Sequence, residues 1–222
     1  MKKLKQGVAL GLAVALAVTL TACGGGLTTN DAKAYIQGIL DMTYLGQYNE
    51  DYIELVDGTE AECEENYLGG LETEAEYFAY YFDSVLTDDL KDEVIELYKE
   101  IYAHSKYTIT DATKASDGGF TVTVQVEPID IMTQVIENDI DAYVDAFNAR
   151  YDAGEFDEMT DEEYEEEWLS GIIELVRGRL DQTGYLETKS IVVQVQIDEE
   201  GVYGLNEDDF GNLDMLIIDY PV

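Results

Sequence analysis

Four consecutive residues near the N-terminus have the types and the order that one defined chemical modification requires: Leu20, Thr21, Ala22 and Cys23. Small residues in front of a cysteine suit a signal peptidase, and the cysteine thiol can carry a diacylglyceryl group. The sequence matches the lipobox of bacterial lipoproteins and predicts cleavage before Cys23. We therefore expect Cys23 to become the lipidated first residue of the mature protein.

The residues in front of this motif are organised like an export signal. Three of the first five residues are lysines, and residues 7–22 are apolar or small and carry no charge. A permanent transmembrane helix needs about 20 apolar residues, so this run is short for a stable span. We predict a cleaved signal peptide over residues 1–22, with an uncleaved anchor or an ordinary secretory signal as the alternatives.

A lipidated cysteine would attach the mature protein to a membrane without crossing it. Each buried methylene of an acyl chain contributes about 0.8 kcal/mol, and two or more chains, such as a diacylglyceryl group with an added palmitate, anchor a protein stably. Residues 23–29 then form a flexible tether, of which six residues span at most about 20 Å. We therefore predict that the protein lies on the extracytoplasmic face of a cell membrane, at the surface of a Gram-positive cell. Its contact with membrane lipid is through Cys23.

Acidic residues dominate the chain. It contains 49 Asp and Glu against 12 Lys and Arg, and removal of residues 1–22 would leave nine basic residues and a formal charge of about −40. Nucleic acid is excluded as a partner because polyanion binding needs clustered Lys and Arg. Such a charge suits solubility, cationic peptides or divalent cations. Because 46% of the residues are hydrophobic, we expect a folded body and assign residues 30–222 to a single α+β domain.

Helical spacing of apolar residues recurs along most of this domain. The predicted helices run from Asn30 to about Leu45, over 49–56, over 59–85, from Thr87 onward, over 130–152, over 160–183 and after Asn206. Thr and Asn residues provide the predicted N-caps, and Gly46 the first terminator. Gly69 and Gly70 are predicted to interrupt the helical segment over 59–85.

Two segments alternate apolar and polar residues with the period of a strand. Residues 120–127 (FTVTVQVE) and 191–198 (IVVQVQID) place most of their apolar residues on one face. Residues 106–115 are predicted to pair with the first segment across the turn SDGG, and VYGLN with the second across DEEG. The sequence therefore predicts an α+β fold in which helices pack on one face of a four-stranded antiparallel sheet made of two β-hairpins.

Several phrases of the sequence, taken in order, resemble a family of uncharacterised lipoproteins from Gram-positive Firmicutes: DAKAYIQGILDMTYLGQY, YAHSKYTI, VQVEPIDI, EEEWLSGIIELV and NEDDFGNLDMLI. The likeness extends over nearly all of the mature chain and includes no active-site motif. It implies a cell-surface lipoprotein with a cystatin-like or nuclear-transport-factor-like sheet curved around helices. The family supplies no catalytic residue to carry over.

Side chains that often perform catalysis are scarce or poorly placed in this sequence. His104 is the only histidine, and its position near a predicted helix end favours a structural role. Glutamates surround Cys63 and disfavour a thiolate, so we expect it to be unreactive. Residues 157–167 are rich in Asp and Glu. Because acids are favourable in the first turn of a helix, a helix start explains them. Weak divalent-cation binding or a cationic partner is the alternative. We assign no catalytic residue, metal site or cofactor.

Aromatic residues are the surplus that most suggests recognition. The segment EYFAYYF contains Tyr77, Phe78, Tyr80, Tyr81 and Phe82, which cannot all face one core from a helix. Rings with polar tips suit peptide or glycan recognition, so Tyr77, Tyr80 and Tyr81 are the candidate ligand-binding residues. The alternative is that they belong to the core and its amphipathic covering.

These observations favour a membrane-anchored, extracytoplasmic binding or interaction domain without enzymatic activity, whose partner is a protein, peptide or glycan. Two alternatives stay open. One is a small-molecule enzyme with a pocket between sheet and helices, an Asp or Glu base and a Tyr donor. The other is a passive structural protein of the cell envelope, which predicts a filled core. A deep cavity that holds a buried carboxylate beside a tyrosine would favour the enzyme.

Overall fold

In the computed structural model of the protein, which describes residues 27–221, one antiparallel sheet has the strand order β1-β2-β3-β4. Its strands are β1 Lys106–Lys114, β2 Phe120–Glu127, β3 Lys189–Ile197 and β4 Tyr203–Leu205. The predicted pairing within each hairpin is confirmed, and β2 also pairs with β3, which makes the sheet continuous. The α+β class and the four-stranded antiparallel sheet are therefore confirmed.

Side chains alternate between the two faces of this sheet, as the sequence predicts. The buried side chains in the middle of the sheet are Val122, Val124, Val126, Val193 and Val195. The opposite face carries mainly threonine, glutamine and serine. The pairing of β1 with β2 shifts register between Ile109 and Asp111, so Thr110 forms a bulge on the outer strand.

The described part of the chain contains eight α-helices: α1 Thr29–Leu45, α2 Glu50–Leu55, α3 Glu60–Tyr81, α4 Asp88–Tyr102, α5 Ile131–Asn138, α6 Ile140–Asp152, α7 Asp161–Arg177 and α8 Glu207–Asp214. α1 packs on β1 and β2, and α8 packs on β3. α3 and α4 pack against each other and against α1, which therefore lies between them and the sheet. Between residues 27 and 221, no helix combines the length and the apolar character that crossing a bilayer requires.

Capping side chains decide where three of the helices begin. Thr28, Thr59 and Thr160 each accept a hydrogen bond from the backbone N–H three residues later, and the acid at that position bonds back to the cap. α1 therefore begins at Thr29, two residues after Leu27, and the predicted cap at Asn30 is wrong. The predicted end of α1 is confirmed at Gly46, whose φ of 60° is the left-handed conformation that favours glycine.

The predictions for two longer helical segments are also wrong. α3 continues through Gly69 and Gly70, because its capped start and its packing outweigh a cost of about 1 kcal/mol for each glycine. The predicted helix over 130–152 is divided at Asp139 into α5 and α6. Arg179 binds both carboxylate oxygens of Asp139, from Nε and from Nη2 at 2.6 Å each, which holds this division in place.

Buried apolar side chains from all eight helices and from β2, β3 and β4 form one continuous cluster. Trp168 is its largest fully buried side chain, and its Nε1 donates a hydrogen bond to the carbonyl of Phe82 at 2.8 Å. α1 and α2 approach closely at Gly38, where a Cβ would lie 2.1 Å from the ring of Tyr52. The absence of a side chain at position 38 therefore permits this helix packing.

Candidate functional site

A polar groove of about 450 Å³ lies where β1 begins and β2 ends, beside the second half of α1. Among the polar residues that line this groove are Asp41, Ser105, Lys106, Tyr107, Gln125 and Glu127. They come from α1, from the first hairpin and from the segment that leads into it. The packing of α1 on the sheet therefore creates the groove from residues that are far apart in the sequence.

One contact in this groove joins α1 to β1. The hydroxyl of Tyr107 donates a hydrogen bond to Oδ1 of Asp41 at 2.8 Å, and Nε2 of Gln37 donates to the same oxygen at 2.8 Å. Within residues 27–221, no donor reaches Oδ2 of Asp41. Burial and the neighbouring carboxylate raise the pKa of Tyr107, so its hydroxyl keeps the proton that it donates. The carboxylate of Asp41 is thus held in one orientation with one oxygen unused.

The residue before β1, Ser105, and the first residue of β1, Lys106, add a hydroxyl and a cation to the lining of the groove. Oγ of Ser105 is shielded from solvent and has no hydrogen-bond partner in the described part of the chain. The ammonium of Lys106 lies 3.5 Å from the centre of the Tyr185 ring, a cation–π contact. The hydroxyl of Tyr185 donates in turn to the carbonyl of His104 at 2.8 Å. The groove therefore combines carboxylates, a hydroxyl without a partner and one ammonium bound to a ring.

A second polar cluster lies inside the helical layer, around Glu74 of α3. Glu74 is 6% exposed, and its Oε1 accepts a hydrogen bond from the hydroxyl of Tyr102 at 2.7 Å. Asp214 accepts a hydrogen bond from the hydroxyl of Tyr44 at 2.8 Å, and the ring centres of Tyr44 and Tyr102 are 5.1 Å apart. Burial, and secondarily the charge of Asp214, raise the pKa of Glu74 to about 8, against the opposing effect of the Tyr102 hydrogen bond. Glu74 is therefore largely protonated at neutral pH.

The segment after α8, residues 215–221, is called the C-terminal segment, and it packs against the same cluster through Tyr220. The hydroxyls of Tyr98 and Tyr220 are hydrogen-bonded to each other, and the hydroxyl of Tyr81 donates to the carbonyl of Pro221 at 2.7 Å. The Tyr220 ring also meets the rings of Tyr77 and Tyr81 edge-on, with centroids 5.2 and 4.9 Å apart. Tyrosines from α3 and α4 therefore hold Tyr220 and Pro221 beside Glu74.

A buried acid with a raised pKa beside a tyrosine is half of what an acid–base enzyme needs. The other half is access for a substrate, and Glu74, Tyr44 and Tyr102 are each at most 6% exposed. The groove and the cluster meet at Tyr107, whose ring centre lies 6.1 Å from that of Tyr44. The cluster is therefore closed to a substrate, whereas the groove is lined in part by exposed side chains such as Gln125 and Glu127.

The three tyrosines that the sequence nominates for ligand binding point in different directions. Tyr81 is buried against the C-terminal segment, Tyr77 is half-buried beside it, and Tyr80 is 48% exposed. This division between a core face and a solvent face follows from helical geometry. None of the three lines the polar groove. Their part in ligand binding stays a prediction.

Acidic residues 157–167 extend into the start of α7, as the sequence predicts. Glu163, Glu166 and Glu167 line a second groove of about 330 Å³ together with Asp89 of α4. Within residues 27–221, His, Cys, Asp and Glu side chains form no group of three that could hold a metal ion. Cation binding by the acidic segment therefore stays a prediction.

The two cysteines and the histidine have distinct positions. Cys23 and the peptidase motif Leu20-Thr21-Ala22 lie outside the described residues. Cys63 is buried in α3, and burial, followed by the charges of nearby glutamates, raises the pKa of its thiol. His104 lies two residues after α4, near a helix end as the sequence predicts.

Sequence reasoning missed Glu74 and the contact between Asp41 and Tyr107. Glu74 is buried on α3 together with Leu71, Ala75 and Phe78. These four positions have the spacing of one helix face. The pattern of the sequence could therefore have predicted that Glu74 is an acid on a buried apolar face. Asp41 and Tyr107, in contrast, are 66 residues apart, and no local pattern points to their contact.

The fold is similar to the crystal structure of a "putative lipoprotein" (ycdA) from Bacillus subtilis subsp. subtilis str. 168. The TM-score is 0.57 at 14% sequence identity, and the match covers 85% of this chain and 56% of that protein, little more than half of its length. At this identity the likeness shows the fold alone. No protein-family model and no curated protein matches the sequence. The likeness to a Firmicutes protein of that name agrees with part of the family resemblance, whereas the cystatin-like or nuclear-transport-factor-like form stays a prediction.

Proposed function

We propose that the protein is a lipid-anchored binding module on the outer face of a bacterial cell membrane, and that its ligand occupies the polar groove at Asp41. The observation that carries this proposal is the groove, where the carboxylate of Asp41 is oriented through Oδ1 and, in the described chain, receives no hydrogen bond at Oδ2. A carboxylate oxygen without a protein donor in the wall of a groove can accept a hydrogen bond from a ligand. The lipobox at Cys23 and the name of the Bacillus subtilis neighbour support the anchor.

The position of the groove along α1 supports a ligand that arrives from the aqueous side. α1 begins at Thr29, the last residue of the predicted tether, and its 17 residues extend about 25 Å. Near its start, Nζ of Lys33 donates to the carbonyl of Thr110 at 3.1 Å, whereas Asp41 near its end contacts Tyr107. The tether and the groove are thus at opposite ends of α1. A short tether would present the groove away from the membrane.

Two other functions explain less of this geometry. Glu74 and Tyr102 have the chemistry of an acid–base pair, but both side chains are buried and neither lines the polar groove. A passive envelope protein gives no reason for an oriented carboxylate in a surface groove. Ligand binding accounts for the groove directly, so we prefer it to both alternatives.

Replacing Cys23 by serine should abolish lipidation. Serine has no thiol to carry a diacylglyceryl group, so we expect the isolated protein to lose both radiolabelled palmitate and the corresponding mass. Cys63→Ser is the matched control, since Cys63 is the other cysteine of the sequence and is buried in α3; it should keep the label. Palmitate that persists in the Cys23→Ser protein would contradict the anchor.

A ligand of the groove should lose affinity when Asp41 is replaced by asparagine. A hydrogen bond to a charged group contributes about 1.5–3 kcal/mol, so we expect a loss of about tenfold or more. The mature protein in detergent can be screened by NMR against amino acids, amines, sugars and short peptides. Glu166→Gln in the second groove is the control and should leave the affinity unchanged. Turnover of a screened compound, or binding that does not depend on Asp41, would overturn the proposed function.

A further inference from the structure

We propose that the polar groove recognises the ammonium group of a small organic amine, with Oδ2 of Asp41 as its principal acceptor. This inference rests on the proposed function, because it names the ligand class for the same groove. The ligand class follows from which donors and acceptors of the groove are already occupied.

Asp41 presents a carboxylate that its neighbours orient but do not neutralise. Tyr107 and Gln37 both donate to Oδ1, at 2.8 Å each, and neither side chain carries a positive charge. No ion pair within residues 27–221 includes Asp41. A negative charge that is held in place without a counter-ion favours a positively charged donor and disfavours an anion.

A second carboxylate lines the same groove. It belongs to Glu127 at the end of β2, whereas Oγ of Ser105 is shielded from solvent and is not accessible to a ligand. An ammonium group has three N–H donors and no acceptor, so it matches a set of acceptor oxygens better than an amide or a hydroxyl does. A neutral polyol would leave the charge of Asp41 uncompensated.

Lys106 is a cation that already borders the groove. Its ammonium lies over the Tyr185 ring at 3.5 Å from the ring centre. A ligand ammonium would be attracted by Asp41 and Glu127 and repelled by Lys106. Loss of Asp41 should therefore weaken the binding of an amine, and loss of Lys106 should strengthen it. For an anionic ligand, both effects would be reversed.

The net charge makes a control necessary, since this protein attracts any cation. Its formal charge is −37 at pH 7. Diffuse attraction does not depend on a single carboxylate, and salt at about 0.15 M screens it beyond about 8 Å. A site at Asp41 differs in two ways: it saturates at one ligand per chain, and it responds to Asp41 but not to Glu166 of the second groove.

The test uses the mature protein in detergent at about 0.15 M salt, with 1,5-diaminopentane as the probe and 1,5-pentanediol as its neutral analogue. Calorimetry should show one saturable site for the diamine and an affinity for the diol that is lower by about tenfold or more. Asp41→Asn should reduce the affinity for the diamine about tenfold, Lys106→Met should raise it about threefold, and Glu166→Gln should leave it unchanged. Thermal unfolding followed by circular dichroism verifies that each variant is folded.

Three results would overturn the ammonium site: no saturable binding of the diamine, equal affinity for the diol, or equal losses in Asp41→Asn and Glu166→Gln. A decrease in affinity for the diamine in Lys106→Met would overturn it as well, and this variant decides the matter if Asp41→Asn does not fold. If the diamine fails while another screened compound depends on Asp41, the groove binds a ligand and only the ligand class is wrong. Failure of the inference is thereby distinguished from failure of the proposed function.

Discussion

Replacing Glu74 by glutamine should remove a fall in stability that we expect for the native protein between about pH 5 and pH 8. Burial raises the pKa of Glu74 in the folded protein to about 8, from an ordinary value of 4.5. Over this interval the folded state retains a proton that the unfolded chain has released. The free energy of unfolding therefore decreases as the pH rises, by at most about 1.4 kcal/mol per pH unit. Glutamine does not titrate, so this contribution disappears with the substitution.

Urea unfolding at several values between about pH 5 and pH 8, followed by the fluorescence of the single tryptophan Trp168, measures this effect. As the pH rises from about 5 to about 8, the free energy of unfolding of Glu74→Gln should increase relative to that of the native protein by about 2 kcal/mol or more. Glu76→Gln is the control, because Glu76 is exposed on the same helix and reports the general repulsion among the acids. Parallel curves for the native protein and Glu74→Gln would show that the pKa of Glu74 is not raised.

Structural features that depend only on residues close together in the sequence could be predicted from it. The helix starts at Thr59 and Thr160, the terminator Gly46 and the alternating strands all depend on neighbours along the chain. Elements that are decided by distant contacts could not. At the division of the helix, Asp139 contacts Arg179, forty residues further along, and no local pattern predicts this contact.

The candidate site was harder to predict than the fold for the same reason. Asp41 and Ser105 are ordinary polar residues in the sequence, and their significance comes from what surrounds them after α1 packs on the sheet. Tyr77, Tyr80 and Tyr81, in contrast, are conspicuous in the sequence, but α3 distributes them between its two faces. The composition of the sequence therefore points to aromatic residues, whereas the groove is identified only by contacts within the folded chain.

Replacing Gly38 by alanine should destabilise the protein, although alanine is the better helix former. In an unconstrained helix the change would add up to about 1 kcal/mol of stability. A Cβ at position 38 would instead lie 2.1 Å from Cδ2 and 2.6 Å from Cγ of Tyr52, and both residues are buried. The Tyr52 ring cannot move away without separating α2 from α1, so we expect a net loss of about 2 kcal/mol in the free energy of unfolding.

Gly69→Ala is the matched control for this substitution. It also lies within a helix, but a Cβ there would meet nothing within 4 Å, so it should raise the stability by up to about 1 kcal/mol. Urea unfolding midpoints of the two variants should therefore shift in opposite directions, and shifts in the same direction would contradict the close contact. Asp41 lies three residues after Gly38 on the same helix. Because a displacement of α1 from α2 would also move Asp41 relative to Tyr107, Gly38→Ala should weaken ligand binding in the groove, whereas Gly69→Ala should not.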